Sequence, residues 1–220
     1  MAKKSLTPER RGIFITFEGP EGCGKSTQSA LVRRYLEDAG YDHVHTREPG
    51  GTRLGERVRD VLLHSKGISI SDLTELFLFE AARSQIVREV IAPALNKNKI
   101  VICDRFSDAT LSYQGYGGRI PLAAIRALDR IATGGVTPDL TILLDVDTMT
   151  GLRRARRKGL DRMERKDIAY HKRVRAGYLK LAKGSPGRIR VIRVTGSIEE
   201  TQSAVRREVE RVIRRYKRAG

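Results

Sequence analysis

The octapeptide Gly19-Pro20-Glu21-Gly22-Cys23-Gly24-Lys25-Ser26, followed by Thr27, constrains this chain more than any other stretch. Its spacing is Gly-x-x-x-x-Gly-Lys-Ser/Thr; an apolar strand candidate over 12–18 precedes it and an amphipathic helix opening at Ser26 follows. Glycines at these positions let backbone N–H groups converge on an anion through φ/ψ values that side chains would obstruct. Lys25 is then placed to neutralise β- and γ-phosphates, Ser26 to ligate Mg²⁺, and the helix N-terminus to add partial positive charge. The pattern predicts a phosphate-binding loop for a nucleoside triphosphate, built from Gly19, Glu21, Gly22, Cys23, Gly24, Lys25, Ser26 and Thr27.

Beyond the loop, strand and helix signals alternate. Short apolar runs at 44–47, 100–104, 140–146 and 190–194 read as further strands. Between them, helical spacing is expected from Ser26 to Gly40, Arg53 to His64, Ser71 to Leu95, Ser107 to Gln114, Pro121 to Ala132, from Met149 to a stop at Gly159, Ile168 to Ala182, and through Ile198 to Tyr216. Gly115-Tyr116-Gly117-Gly118 reads as a flexible stop. This order predicts an α/β fold, a single three-layer domain over 1–220 with about five parallel strands and helices on both faces.

Composition narrows the partners. With 40% hydrophobic residues in 220 the chain can build a core, and it holds no apolar run long enough to span a membrane. The start, Met1 to Pro8, carries charge without an apolar segment, so a cytoplasmic protein is expected. Cys23 and Cys103 have no disulfide or zinc spacing and read as reduced packing thiols. The net charge of +17 is uneven: residues 1–110 hold 17 Lys/Arg against 15 Asp/Glu, residues 111–220 hold 26 against 11. A basic half is compatible with nucleic acid, but aromatics are only 5% and do not interleave with the basic runs as a stacking platform would. The arginines of the last helix lie mostly off its apolar face and read as solvated.

In an open α/β sheet, ligands bind outside the carboxyl ends of the strands. That edge collects Arg47, Glu48 and Arg53 after the second strand, and Asp104 and Arg105 after Ile100-Val101-Ile102-Cys103. Asp104 is placed to hold a Mg²⁺-bound water and Arg105 to reach a phosphate. Phe79 and Arg83, four apart on a helix, share a face, a ring to stack a base and a guanidinium to donate to its edge. The dense run Arg153 to Arg162 suits a flap, about 153–165, that closes over a transferring phosphoryl group. No guanine-reading Asn-Lys-x-Asp follows a strand, and Arg105 stands where a motor ATPase carries a second acid. A small kinase with an ATP site, an acceptor site and an arginine flap remains.

Thr46-Arg47-Glu48-Pro49-Gly50-Gly51-Thr52, Phe79-Glu80-Ala81-Ala82-Arg83, Asp104-Arg105-Phe106, Ser112-Tyr113-Gln114-Gly115, Pro138-Asp139-Leu140-Thr141 and Leu144-Asp145-Val146, with the loop, resemble bacterial thymidylate kinases in order along nearly the whole chain. The resemblance implies a Mg²⁺-dependent homodimer that moves the γ-phosphoryl of ATP onto dTMP, giving dTDP on the way to dTTP. It implies that Phe79 stacks on thymine, that Arg83 bonds its carbonyl edge and that Glu21 meets the sugar 3′-hydroxyl. Arg53 and Arg105 would hold the acceptor phosphate and Asp104 would lie near the metal. Tyr113 would pack under the deoxyribose, with Thr110 and Gln114 beside it. This loop carries no arginine, so by the same resemblance the flap must supply one; Arg154, Arg156, Arg157 and Arg162 are the candidates. The rival readings are a kinase for another nucleoside monophosphate and an ATP-dependent nucleic-acid-binding protein.

Overall fold

The structure, a computed structural model, describes residues 12–65, 67–157, 159 and 161–218. The leader reading at Met1 to Pro8, and Lys158 and Leu160 of the flap, lie outside the described residues.

Among the described residues five strands form one sheet: β1 (Phe14–Glu18), β2 (His43–Arg47), β3 (Ile100–Asp104), β4 (Leu140–Asp145) and β5 (Ile189–Arg193). Their order is β2-β3-β1-β4-β5 and every pair is parallel. Register brings the carboxyl ends level, Phe17 beside Asp104, Asp104 beside Arg47 and Glu18 beside Leu143.

Alternation along β1 decides which layer each side chain joins. Ile13, Ile15 and Phe17 pack with Val32 and Leu36 of α1 (Lys25–Asp38) and with Val205, Val209 and Ile213 of α9 (Ile198–Arg218). Phe14 faces the other way, into a cluster with Ile86, Val87 and Phe106. That second layer is α2 (Arg53–His64), α3 (Asp72–Ile86), α4 (Ala92–Asn96), α5 (Ser107–Thr110), α6 (Leu122–Thr133), α7 (Thr148–Arg156) and α8 (Ile168–Gly184), the last packing Val174 and Tyr178 inward. The expected three layers are present.

Two helix readings change. A π-helical stretch, Val87–Ile91, joins α3 to α4 beside Pro93, whose missing N–H removes a regular helical bond. After α5 the helix does not stop at Gly115 but runs on as a π-helical stretch, Leu111–Gly117. The glycines there serve contact: a Cβ on Gly117 would lie 2.7 Å from Tyr170 Cε2, and one on Gly115 2.5 Å from Leu122 Cδ2.

Apolar spacing on α2 and α3 also divides into two stripes. Leu62 and Leu76 are buried, whereas Leu54, Val61, Leu73 and Phe77 are exposed on the outside. A single amphipathic face does not describe either helix.

Candidate active site

The connections leaving the adjacent strands β1 and β3 run to opposite faces of the sheet, α1 on one and α5 on the other. The crevice outside their carboxyl ends is where such sheets bind ligands. A cavity of about 720 Å³ opens there.

Its floor is the loop Gly19 to Thr27. Gly22 and Gly24 have φ of 65° and 94°, left-handed values that suit glycine. Gly22 also has no room for a side chain, since a Cβ would lie 2.1 Å from Gly151 O and 3.0 Å from Arg154 Cβ. The loop and α7 therefore touch backbone to backbone. Side chains cap α2, α3, α7 and α8, namely Thr52, Ser71, Asp147 and Asp167. No side chain caps α1 and its first turn holds no acid, so its N–H groups remain for an external anion. Lys25 Nζ donates to Gly19 O at 3.0 Å and Pro20 O at 2.9 Å, folded along the loop.

Asp104 ends β3 under the loop. Its Oδ1 is buried without a hydrogen bond. Burial opposes its ionisation, but the side chains of His45, Ser29 and Ser26 outweigh it and hold the carboxyl below the usual Asp range. An ionised carboxylate with a spare oxygen near a serine hydroxyl fits Mg²⁺, which takes hard oxygen ligands and keeps several waters and phosphate oxygens. Among the described residues there is no cluster of three His, Cys, Asp or Glu that could hold a metal.

Above the loop, Glu21 Oε1 accepts from Arg105 Nη2 at 2.8 Å and from Tyr113 OH at 2.6 Å. Burial alone would raise this carboxyl, yet Arg105, Lys25 and the Tyr113 hydroxyl bring it down to about 2. The Arg105 guanidinium also lies 4.8 Å from the Tyr113 ring centroid. Three residues earlier, Glu18 behaves oppositely. Burial and the nearby Asp108 push its carboxyl up to about 7 against the pull of Arg105.

The far wall comes from α2, α3 and the π-helical stretch after α5. Phe79, Thr110, Tyr113 and Gln114 line it. Arg83 lines it too, but its guanidinium is 1% exposed and caged: Nε donates to Glu48 Oε2 at 2.9 Å, and Nη1 to Glu80 Oε1 at 2.8 Å and Asp129 Oδ1 at 3.3 Å. Gln114 Nε2 donates to the buried Glu75 Oε1 at 2.8 Å.

The expected flap arginines separate. Arg154 lines the cavity, directly over Gly22. Arg156 and Arg157 are exposed and do not line it. Arg162 is tied down elsewhere, with Nε on Leu62 O at 2.7 Å and Nη2 on Glu75 Oε2 at 2.5 Å. Arg53 likewise is exposed at the first position of α2, outside the cavity lining. Arg59 lines the cavity instead and donates to Pro49 O at 3.0 Å. The signal was present in Gly55, Arg59, Leu62 and Leu63, spaced along one helical face, but the exposed Leu54 and Val61 obscured it. Gly19 supports the loop from behind, at φ 142°. The far end of the cavity, Val194, Gly196, Ser197, Ile198 and Thr201, carried no motif; its place follows from lying past the carboxyl end of β5.

Comparison with known proteins gives the family of the chain. The family model described as thymidylate kinase matches residues 17–205. A thymidylate kinase of Kosmotoga olearia is 48% identical over 197 residues, covering 89% of this chain and 94% of that one. One of Deinococcus radiodurans is 46% identical over 196 residues, covering 89% and 95%. The crystal structure of thymidylate kinase from Ehrlichia chaffeensis superposes with a TM-score of 0.75 at 38% identity, covering 91% of this chain and 99% of that one. Five parallel strands, a phosphate loop opening an uncapped helix, and matches of this length and identity place the chain in the thymidylate kinase family.

Proposed function

We propose that this chain phosphorylates dTMP to dTDP, with ATP as the donor and Mg²⁺ in the phosphate site. The observation that carries the reading is that one cavity holds both the phosphate loop and, across from it, an aromatic and arginine wall. Donor and acceptor can then meet without water between them, which is most of what phosphoryl transfer asks of a protein.

In this reading the loop N–H groups and the N-terminus of α1 cradle the donor phosphates, and Lys25 turns from the Gly19 and Pro20 carbonyls to the β- and γ-phosphates. Ser26 and Asp104 would hold the metal. The chemistry a bound Mg²⁺ would supply there is positive charge against the donor phosphates. Phe79 stacks on the acceptor base, while Arg83, held rigid by its carboxylates, lines the base pocket with Thr110 and Gln114. Tyr113 packs under the sugar and Glu21 meets the 3′-hydroxyl. Arg105 holds the acceptor phosphate, and Arg59 takes the part expected of Arg53. Arg154 meets the transferring phosphoryl group.

The exposed row Leu54, Val61, Leu73 and Phe77 on α2 and α3 supports a homodimer through that face. Both cysteines are free and buried, which suits a reducing, cytoplasmic setting. Among the described residues no helix is long and apolar enough to cross a membrane. Along α9, Arg206 and Arg214 pair with Glu210, and Arg211 with Glu208, which favours the solvated reading of its charge.

An ADP-release assay with ATP, Mg²⁺ and separate nucleoside monophosphates tests the proposal. Strong turnover with dTMP and weak turnover with dUMP is expected. Preferential turnover of a purine monophosphate would overturn the roles given to Phe79 and Tyr113. Lys25→Ala should lower kcat by about 10² or more while dTMP binding by calorimetry stays unchanged.

A further inference from the structure

Glu18 is absent from every role assigned above, yet it is fully buried at the end of β1. Strand alternation turns it away from the α1 face and towards α5 and α8. Both of its oxygens are engaged by neutral donors. Phe106 N–H donates to Oε1 at 2.7 Å, and Tyr178 OH donates to Oε2 at 2.8 Å. A buried acid without a direct ion-pair partner is expensive to keep, so its contacts need a reason.

Both contacts converge on Arg105. Phe106 is the next residue, and Arg105 itself sits at φ 69°, a left-handed backbone that a residue with a side chain rarely adopts. Its N–H is fixed to Phe17 O at 2.9 Å, so the turn is pinned on one side by β1 backbone and on the other by the Glu18 side chain. At the far end of the same residue, Arg105 Nη1 lies 3.5 Å from the Tyr178 hydroxyl that Glu18 orients. Tyr178 comes from α8, 73 residues away from Arg105.

We propose that Glu18 is a positioning residue that holds Arg105 in its left-handed turn, through Phe106 N–H, and aims its guanidinium at the acceptor phosphate, through the Tyr178 hydroxyl. The inference rests on the reading of Arg105 as the acceptor-phosphate ligand. Without Glu18 the turn relaxes towards an ordinary backbone, and the guanidinium leaves the acceptor site.

The test is steady-state kinetics in which dTMP and ATP are varied separately, with melting temperatures measured alongside, for Glu18→Gln, Tyr178→Phe, Arg105→Ala and the double variant Glu18→Gln/Arg105→Ala. A glutamine can still accept from Phe106 N–H, but its amide nitrogen then faces the Tyr178 hydroxyl and reverses that bond. Glu18→Gln should raise the KM for dTMP about tenfold, the size of one lost hydrogen bond to a charged group. The KM for ATP should stay within about twofold, since no donor contact is touched. Tyr178→Phe should move the same constant in the same direction, and it decides the matter if Glu18→Gln does not fold. In the double variant the dTMP constant should equal that of Arg105→Ala alone, because Glu18 acts only through Arg105. If Glu18→Gln and Tyr178→Phe lower the melting temperature but leave the KM for dTMP at its wild-type value, Glu18 is structural and the inference is wrong. If Arg105→Ala itself leaves that constant unchanged, the reading of Arg105 fails and the inference goes with it.

Discussion

Two arginines face the same cavity under opposite conditions. Arg83, on the α3 wall, is enclosed by Glu48, Glu80 and Asp129 and lies over the Phe106 ring at 5.3 Å. Arg154, on α7, is exposed above Gly22, with no ion pair to its guanidinium among the described residues. A caged guanidinium cannot move to follow a reaction, but it presents a fixed surface to whatever binds beside it. An uncaged one can be delivered to charge that develops only in the transition state. The pair teaches that the cost of ordering is met in advance on the α3 wall and left open at α7.

The sharpest way to break this contrast is Arg154→Ala. Turnover should fall by roughly 10³ or more, with the melting temperature unchanged. Arg154→Lys should recover only part of it, since an ammonium lacks the planar fork. A normal kcat in Arg154→Ala would leave the flap without its proposed role. Arg83→Ala should act through stability instead, losing about 3–5 kcal/mol in urea unfolding because Glu48 and Glu80 are left buried and unpaired. Wild-type stability with only weaker dTMP binding would mean the cage is not structural.

Glu21 and Arg105, partly exposed between the two regions, give the intermediate case. The Glu21 carboxyl, held down to about 2, contributes stability that is complete above its ordinary value near 4.5 and is lost as pH falls towards 2. Glu21→Gln should therefore be less stable than wild type by about 3 kcal/mol at pH 6, with the gap closing as the medium is acidified. A gap independent of pH would mean the carboxylate charge is not what stabilises. The smallest expected effect separates two positions on α2. Arg59→Ala should raise the KM for dTMP about tenfold, and Arg53→Ala should leave it within about twofold; the reverse would restore Arg53 to the site.

Much of the site was legible because its signals are local. Loop glycines, the lysine and the helix that follows are contiguous, and the strand ending in Asp104 puts a carboxylate beside them by parity and length alone. Arg59 was harder to see because α2 carries two apolar stripes, one inward and one outward, and spacing does not say which is which. Glu18 was hidden in an apolar run whose alternation turned it towards a helix 160 residues away. Gly115 and Gly117 looked like a stop because glycine signals both freedom and close contact, and only the packed Tyr170 and Leu122 tell them apart.

The sequence by itself determined the α/β order, the parallel sheet and the phosphate loop, and it offered the arginines that are candidates for the flap. Only the tertiary structure decided which arginine reaches the cavity and which is held back. A guanidinium sits at the end of a long, flexible side chain and settles on whichever carboxylate the fold brings near. Arg162 meets Glu75 from 87 residues away and Arg83 meets Glu48 from 35. Arg154 finds no such partner among the described residues and is left facing the loop.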